Sequence, residues 1–141
     1  MTNMDCPAEL VVDTSALVAI LLHEPDGALY FERIAASRAV LSAVGKVETL
    51  MVVLSRAPNP DEGRKCFDFM LETLCIGIAA VDDSLAELAL SAFLRSGKGR
   101  HPAKLNFGDC FSYGLAKQLD VPLLFKGDDF SQTDVRSALC E

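Results

Sequence analysis

The chain has 141 residues, half of them hydrophobic and 23% charged, which suits one compact domain over residues 1–141 and is too short for two. Its longest apolar run, Ala16 to Leu22, has seven residues, whereas a membrane-spanning helix needs about 20; the N-terminus also has no basic leader, so we expect a cytoplasmic protein outside the membrane. The formal net charge of −7 excludes a broadly basic surface, so any action on nucleic acid needs a local site where cations offset the charge.

Short apolar segments alternate with longer segments of helical periodicity along the chain. Strands are predicted at residues 9–13, 39–41, 75–81 and 121–125, with a fifth near 135–139. Helices are predicted at residues 14–22, 25–36, 44–56, 61–74, 84–95 and 107–118. This order predicts an α/β fold, with a parallel sheet covered by helices on both faces.

Two acidic residues in this predicted arrangement are candidates for a functional site. Asp13 ends the first strand, where it either caps the next helix or binds a cation beside the carboxyl ends of the strands. Glu48 lies on a helical face with Val44, Met51 and Val52. A buried carboxylate among apolar groups needs a cation, a donor or a water-filled cleft, unless it reaches solvent along the edge of the stripe.

Further acids stand at the last predicted helix and after the last strand. Asp109 follows the expected N-cap Asn106 by three residues, where its charge suits the positive end of the helix whether or not it also binds metal. Asp128 and Asp129 follow Gly127 in a turn that begins after the fourth strand. Either of them is a candidate for a fourth acid, and either is equally compatible with a solvated turn.

Four carboxylates that converge on one edge of a sheet repel one another unless a cation lies among them. Oxygen ligands of this kind suit Mg²⁺ or Mn²⁺. Such ions lower the pKa of bound water and stabilise the attacking and leaving oxygens of a displacement at phosphorus. We therefore predict phosphodiester hydrolysis, with the following metal-binding and catalytic residues: Asp13, Glu48, Asp109 and Asp129.

Other kinds of site find little support. The five cysteines are an odd number without C-x-x-C spacing, which argues against a disulfide framework and a zinc site. His23 and His101 lie far apart, which argues against a histidine metal site or a Ser-His-Asp triad. A local basic stretch precedes Asp109 and is either a nucleic-acid contact or a solvated loop; it comprises Arg95, Lys98, Arg100, His101 and Lys104.

Four segments together resemble the PIN-domain nucleases, and specifically the VapC toxins of bacterial VapBC toxin-antitoxin systems. The segments cover nearly the whole chain in order: Val11 to Leu17, Leu41 to Ala43 with Val47 and Glu48, Leu105 to Cys110, and Leu123 to Phe130. The resemblance implies a three-layer PIN-like fold with a parallel sheet of about five strands, Mg²⁺ or Mn²⁺ in the acidic pocket, and endonucleolytic cleavage of RNA. It also implies a homodimer or a toxin-antitoxin hetero-oligomer, in which a VapB-like antitoxin covers the groove and brings an arginine to the acids.

The resemblance also implies individual roles. Asp13 and Asp109 would bind metal directly, Glu48 would do so directly or through water, and Asp129 would orient a second ion or the attacking water. Thr14 or Ser15 would add a hydroxyl contact to the phosphate or to water on the metal. Many relatives have Thr-x-Asp-x-Asp-Phe where this chain has Phe125 to Phe130, so Asp128 is the candidate that replaces the acid missing at Gly127.

Two other functions remain open at this point. A receiver-like phosphoacceptor domain would use Asp13, Asp82 or Asp83, and Lys126, but it leaves Glu48 and Asp109 without a role. A catalytically inert PIN fold would bind RNA or a protein without cutting. The sequence leaves the identity of the RNA, the number of metal ions and the antitoxin open.

Overall fold

The computed structural model describes residues 6–99, 101 and 104–139. Within them, four parallel strands form one sheet in the order β3-β2-β1-β4: β1 (Leu10–Val12), β2 (Ala39–Ser42), β3 (Gly77–Ala79) and β4 (Leu123–Leu124). The helices are α1 (Thr14–Leu21), α2 (Gly27–Ala35), α3 (Ala43–Arg56), α4 (Pro60–Thr73), α5 (Asp83–Ser96) and α6 (Phe107–Leu119). The predicted α/β class with a parallel sheet is confirmed.

Helices pack on both faces of the sheet because side chains alternate along each strand. On β1, Leu10 and Val12 join the cluster of buried residues that α1 to α4 contribute, whereas Val11 joins the cluster of α5 and α6. Leu124 and Leu123 divide in the same way on β4. Both faces are therefore apolar, and the polar site residues are left to the edge of the sheet.

The fifth strand that we predicted near residues 135–139 does not form in the described chain. Ser137 makes one isolated parallel bridge to Leu123, supported by hydrogen bonds from Leu123 N to Arg136 O and from Ala138 N to Leu123 O. The pairing stays a single bridge, and β4 itself has only two residues. The sheet thus has four strands and one added bridge.

Side-chain caps fix where most of the helices begin. Asp13, Ser42, Asn59, Asp82 and Asn106 each accept a hydrogen bond from a backbone N–H of the first helical turn, which satisfies a donor that has no partner within the helix. After β1 and β2 the cap is the residue at the strand end, so each helix starts immediately. No helix among the described residues is long and apolar enough to cross a membrane.

Candidate active site

The strand order places a switch point at the carboxyl end of β1. From β1 the chain builds β2 and β3 on one side, and it returns to place β4 on the other side. Ligands bind at such a switch point in open parallel sheets, outside the carboxyl ends of the strands. Asp13, directly after β1, and the loop after β4 lie at this switch point, where α6 packs against β1, β4 and α3.

Asp13 is buried, with 3% of its surface exposed, and both of its carboxylate oxygens are hydrogen-bonded. Oδ2 accepts from the backbone N–H of Ser15 at 3.0 Å and from the Ser15 hydroxyl at 2.7 Å. Oδ1 accepts from the hydroxyl of Ser112, on α6, at 2.6 Å. Asp13 is therefore both the N-cap of α1, as one interpretation of the sequence predicted, and a fixed part of the acidic cluster.

Glu48 on α3 approaches the same place and is half-buried. Burial raises the pKa of its carboxyl, the neighbouring Thr14 hydroxyl opposes this rise, and the negative charge of Asp13 adds to it. The carboxylate lies directly against Gly108 at the start of α6, where a β-carbon would collide with it. A larger residue at position 108 would force the Glu48 carboxylate to move.

Asp109 lies one residue further along α6 and is 5% exposed. It forms a capping box with Asn106: Asn106 N donates to Asp109 Oδ2 at 3.0 Å, and Asp109 N donates to Asn106 Oδ1 at 2.9 Å. Burial is the largest cause that raises the pKa of Asp109 to about 7, the Asn106 hydrogen bond opposes it, and the charges of Asp13, Asp129 and Glu48 raise it further. The four predicted acids are therefore close enough for their charges to interact.

The fourth acid stands on an ordered turn. Lys126 N donates to Ser15 Oγ at 2.9 Å, and the rings of Phe125 and Phe130 pack with centroids 5.1 Å apart, so both ends of the turn are held. Within it, Asp128 and Asp129 are exposed. Because the charge of Asp129 acts on Asp109, Asp129 is the better supported of the two candidates.

The hydroxyls that we predicted as supporting groups are already engaged. Ser15 donates to Asp13 and accepts from Lys126. Thr14 donates to the carbonyl oxygen of Gly45 at 3.3 Å and accepts from Thr49 at 3.1 Å. In this structure both side chains therefore support the acids and the helix starts.

Two residues that support the acids were not predicted from the sequence. Ser112 holds Asp13, and Gly108 makes room for Glu48. Ser112 follows Asp109 by three residues, so the helical repeat puts both on one face of α6. That spacing was the available signal, but only the packing of α6 against β1 shows what the face meets.

The donor set fits a divalent cation that keeps most of its water. Asp13, Glu48 and Asp109 offer only oxygen, and none of them is ion-paired with a Lys or Arg in the described part of the chain. Within that part, no three Asp, Glu, His or Cys side chains are gathered around one point. This suits Mg²⁺, which is usually held through one or two carboxylates and completes its octahedron with water and phosphate.

The residues of the receiver-like alternative have other partners. The Lys126 ammonium pairs with Glu24 at 2.6 Å and with Asp26 at 3.0 Å, on the turn between α1 and α2. Asp82 caps α5 through a hydrogen bond from Leu85 N at 2.9 Å. Neither side chain forms part of the cluster around Asp13, so the geometry of a phosphoacceptor site is not assembled.

The predicted basic stretch folds back toward the start of α6. Lys98 N donates to Leu105 O at 2.9 Å, and the Lys98 side chain lines a groove of about 480 Å³ together with Phe107. Lys98 and Lys104 are exposed, and Arg100 lies outside the described residues. Positive charge therefore lies on the α6 side of the acids.

Comparisons of the sequence with known proteins identify one family. Residues 10–136 match the family described as the PIN domain. The ribonuclease VapC of Mycolicibacterium smegmatis is 46% identical over 127 residues, which cover 89% of this chain and 97% of the relative. Ribonuclease VapC30 of Mycobacterium tuberculosis is 43% identical over 127 residues, which cover 89% and 95%.

Solved structures share the fold at low sequence identity. VapC20 of Mycobacterium tuberculosis, described as a toxin that cleaves the sarcin-ricin loop, superposes with a TM-score of 0.72 at 17% identity and covers 90% of this chain and 96% of its own. A toxin-antitoxin complex from Klebsiella pneumoniae gives a TM-score of 0.66 at 13% identity, with 89% and 93% covered.

Proposed function

This chain belongs to the VapC ribonucleases of the PIN-domain family, and from that premise we propose that it is a Mg²⁺- or Mn²⁺-dependent endoribonuclease. The observation that carries the proposal is that Asp13, Glu48 and Asp129 lie close enough to Asp109 for their charges to add to the effect of burial, which is the main cause that raises the pKa of Asp109 to about 7. Neighbouring carboxylates whose charges interact, two of them buried, suit a site that operates with a cation. Action on cellular RNA would take place in the cytoplasm.

The chain's own residues divide the work as follows. Asp13 and Asp109, both buried, would hold the cation, and Glu48 and Asp129 would hold it directly or through water. When bound, the cation lowers the pKa of water and neutralises the charge that develops on the phosphate. Gly108 and the Asn106 cap keep α6 and the acids at a fixed distance from each other, so that little reorganisation is needed during the reaction.

We further propose that an antitoxin binds this site with a positively charged side chain. Asp13, Glu48 and Asp109 have no Lys or Arg partner among residues 6–99, 101 and 104–139, so an arginine from a VapB-like partner would find unpaired carboxylates. Bidentate hydrogen bonds to carboxylates are the strong binding mode of arginine. Such a side chain would displace the metal and stop cleavage, which is the property that an antitoxin needs.

A second copy of the chain is the partner that we propose for the apolar surface beside the acids. Val47, Met51 and Phe107 are 57%, 65% and 73% exposed, and all three line one groove of about 740 Å³ that also reaches Glu48. Contiguous exposed apolar groups mark protein interfaces. Dimerisation across this face would bring two acidic clusters to one groove, along which an RNA strand could lie.

Cleavage of end-labelled total RNA by the antitoxin-free protein tests the proposal. We expect cuts in Mg²⁺ or Mn²⁺, none in EDTA, and a loss of at least about 100-fold in rate for Asp13→Asn and Asp109→Asn. Asp61→Asn is the matched control, because it removes an equal charge from an exposed position on α4. If wild type and all variants bind RNA equally and leave it intact, the chain is an inert PIN fold that only binds.

A further inference from the structure

Two serines from different helices hold the carboxylate of Asp13. Ser15 on α1 donates both its backbone N–H and its hydroxyl to Oδ2, at 3.0 and 2.7 Å. Ser112 on α6 donates its hydroxyl to Oδ1 at 2.6 Å. Asp13 and Ser112 are each 3% exposed, so water does not compete for this contact. The hydrogen bond from Ser112 to Asp13 joins residues that lie 99 positions apart in the chain.

The distribution of these hydrogen bonds makes the two oxygens of Asp13 unequal. A carboxylate oxygen has two lone pairs that can accept. Oδ2 accepts two hydrogen bonds and uses both, whereas Oδ1 accepts one and keeps one lone pair. Because donors hold the carboxylate from both sides, its plane cannot rotate freely, and the direction of the remaining lone pair on Oδ1 is fixed.

We propose that Ser112 is a positioning residue, which orients Asp13 so that Oδ1 presents its remaining lone pair to a divalent cation. The inference rests on the cation-dependent function proposed above. It adds that Oδ1 of Asp13 is the atom that binds the cation, and that Ser112 sets the direction of its free lone pair. In this role Ser112 acts on the cation only through Asp13. Groups that hydrogen-bond to a metal ligand in this way commonly change metal affinity 10- to 100-fold.

The local geometry separates this role from ordinary helix chemistry. A serine inside a helix usually bonds back to a carbonyl of the preceding turn, whereas the Ser112 hydroxyl reaches out of α6 to the end of β1. Ser112 also lies three residues after Asp109, on the same face of α6. One face of α6 thus carries the proposed ligand Asp109 and, through Ser112, orients the proposed ligand Asp13. The packing of α6 therefore fixes the two carboxylates relative to each other.

Calorimetric titration of Mn²⁺ into the full chain, without RNA, tests the inference. We expect Ser112→Ala to bind Mn²⁺ about 10- to 100-fold more weakly than wild type, and Ser112→Thr, which keeps the hydroxyl, to recover most of the loss. Cys110→Ala is the matched control, because it removes one small polar atom from another buried position of α6 and should leave the affinity unchanged. Thermal unfolding in EDTA establishes that each variant is folded before titration.

The outcomes separate the inference from the function on which it rests. If wild type binds Mn²⁺ and Ser112→Ala binds it equally or more tightly, Ser112 is a structural partner alone and the inference is overturned, while the proposed function stands. If wild type itself does not bind Mn²⁺, both are overturned. If Ser112→Thr does not fold, the comparison of Ser112→Ala with Cys110→Ala still decides.

Discussion

Replacing Asp109 with asparagine should stabilise the metal-free protein at neutral and higher pH. The variant removes a buried charge but keeps an oxygen that can accept the hydrogen bond from Asn106 N. The pKa of Asp109 is about 7 in the folded chain against 3.8 for a free carboxyl. At about 1.4 kcal/mol for each pKa unit, the ionised group costs the folded state at most about 4 kcal/mol above neutral pH.

The direction of the pH dependence follows from the raised pKa. Between pH 3.8 and about 7 the folded chain binds more protons at Asp109 than the unfolded chain does, so the free energy of unfolding falls as the pH rises. Below this window both states are protonated, and Asp109→Asn should gain nothing there. Near pH 8 we expect it to exceed wild type by about 1 to 3 kcal/mol, because part of the full cost is relieved by solvent and relaxation.

Thermal and urea unfolding in EDTA, at about pH 4 and about pH 8, measure this difference. For a chain of this length, 1 kcal/mol corresponds to a Tm shift of about 3 °C. Asp61→Asn controls for the general effect of one negative charge less, since Asp61 is exposed on α4. Mn²⁺ should raise the Tm of wild type more than that of Asp109→Asn. The reasoning is refuted if Asp109→Asn is less stable than wild type by the same amount at both pH values.

Three further changes probe other parts of the site. Gly108→Ala should lower the cleavage rate about 100-fold, because the added methyl group displaces the Glu48 carboxylate; an unchanged rate would contradict this contact. Lys126→Met should lower the free energy of unfolding only slightly, because its ion pairs with Glu24 and Asp26 are accessible to solvent, and the loss should vanish in high salt. Met51→Lys combined with Phe107→Arg should convert a dimer to a folded monomer in light scattering; a dimer that persists would move the interface elsewhere.

The sequence could predict the parts of the fold that depend on local patterns. The alternation of apolar strands with amphipathic helices was enough for a parallel sheet covered on both faces, and Asn106 marked the start of α6 and the capping position of Asp109. Predicted strands were longer than observed, as at residues 75–81, where only Gly77–Ala79 pairs. Apolar periodicity reports burial, whereas strand length depends on how many residues the neighbouring strand offers.

The parts of the site that depend on tertiary packing could not be predicted from the sequence. Glu48 was found because its charge conflicted with its apolar neighbours, but its contact with Gly108 depends on how α3 and α6 approach each other. Nothing in the sequence distinguishes Ser112 from other helical serines, because its contact with Asp13 depends on the packing of α6 against β1. The helical repeat fixes which residues share a face, but it does not fix what that face meets.

The most direct test of the cation-binding cluster is anomalous scattering from a crystal of the full chain soaked in Mn²⁺. We predict an anomalous peak between Asp13 Oδ1 and the carboxylate of Asp109, with water completing the coordination. Asp13→Asn crystals soaked in the same way should show no such peak. A peak beside Glu24 and Asp26, or none near the carboxyl end of β1, would contradict the assignment of the acidic cluster as the metal site.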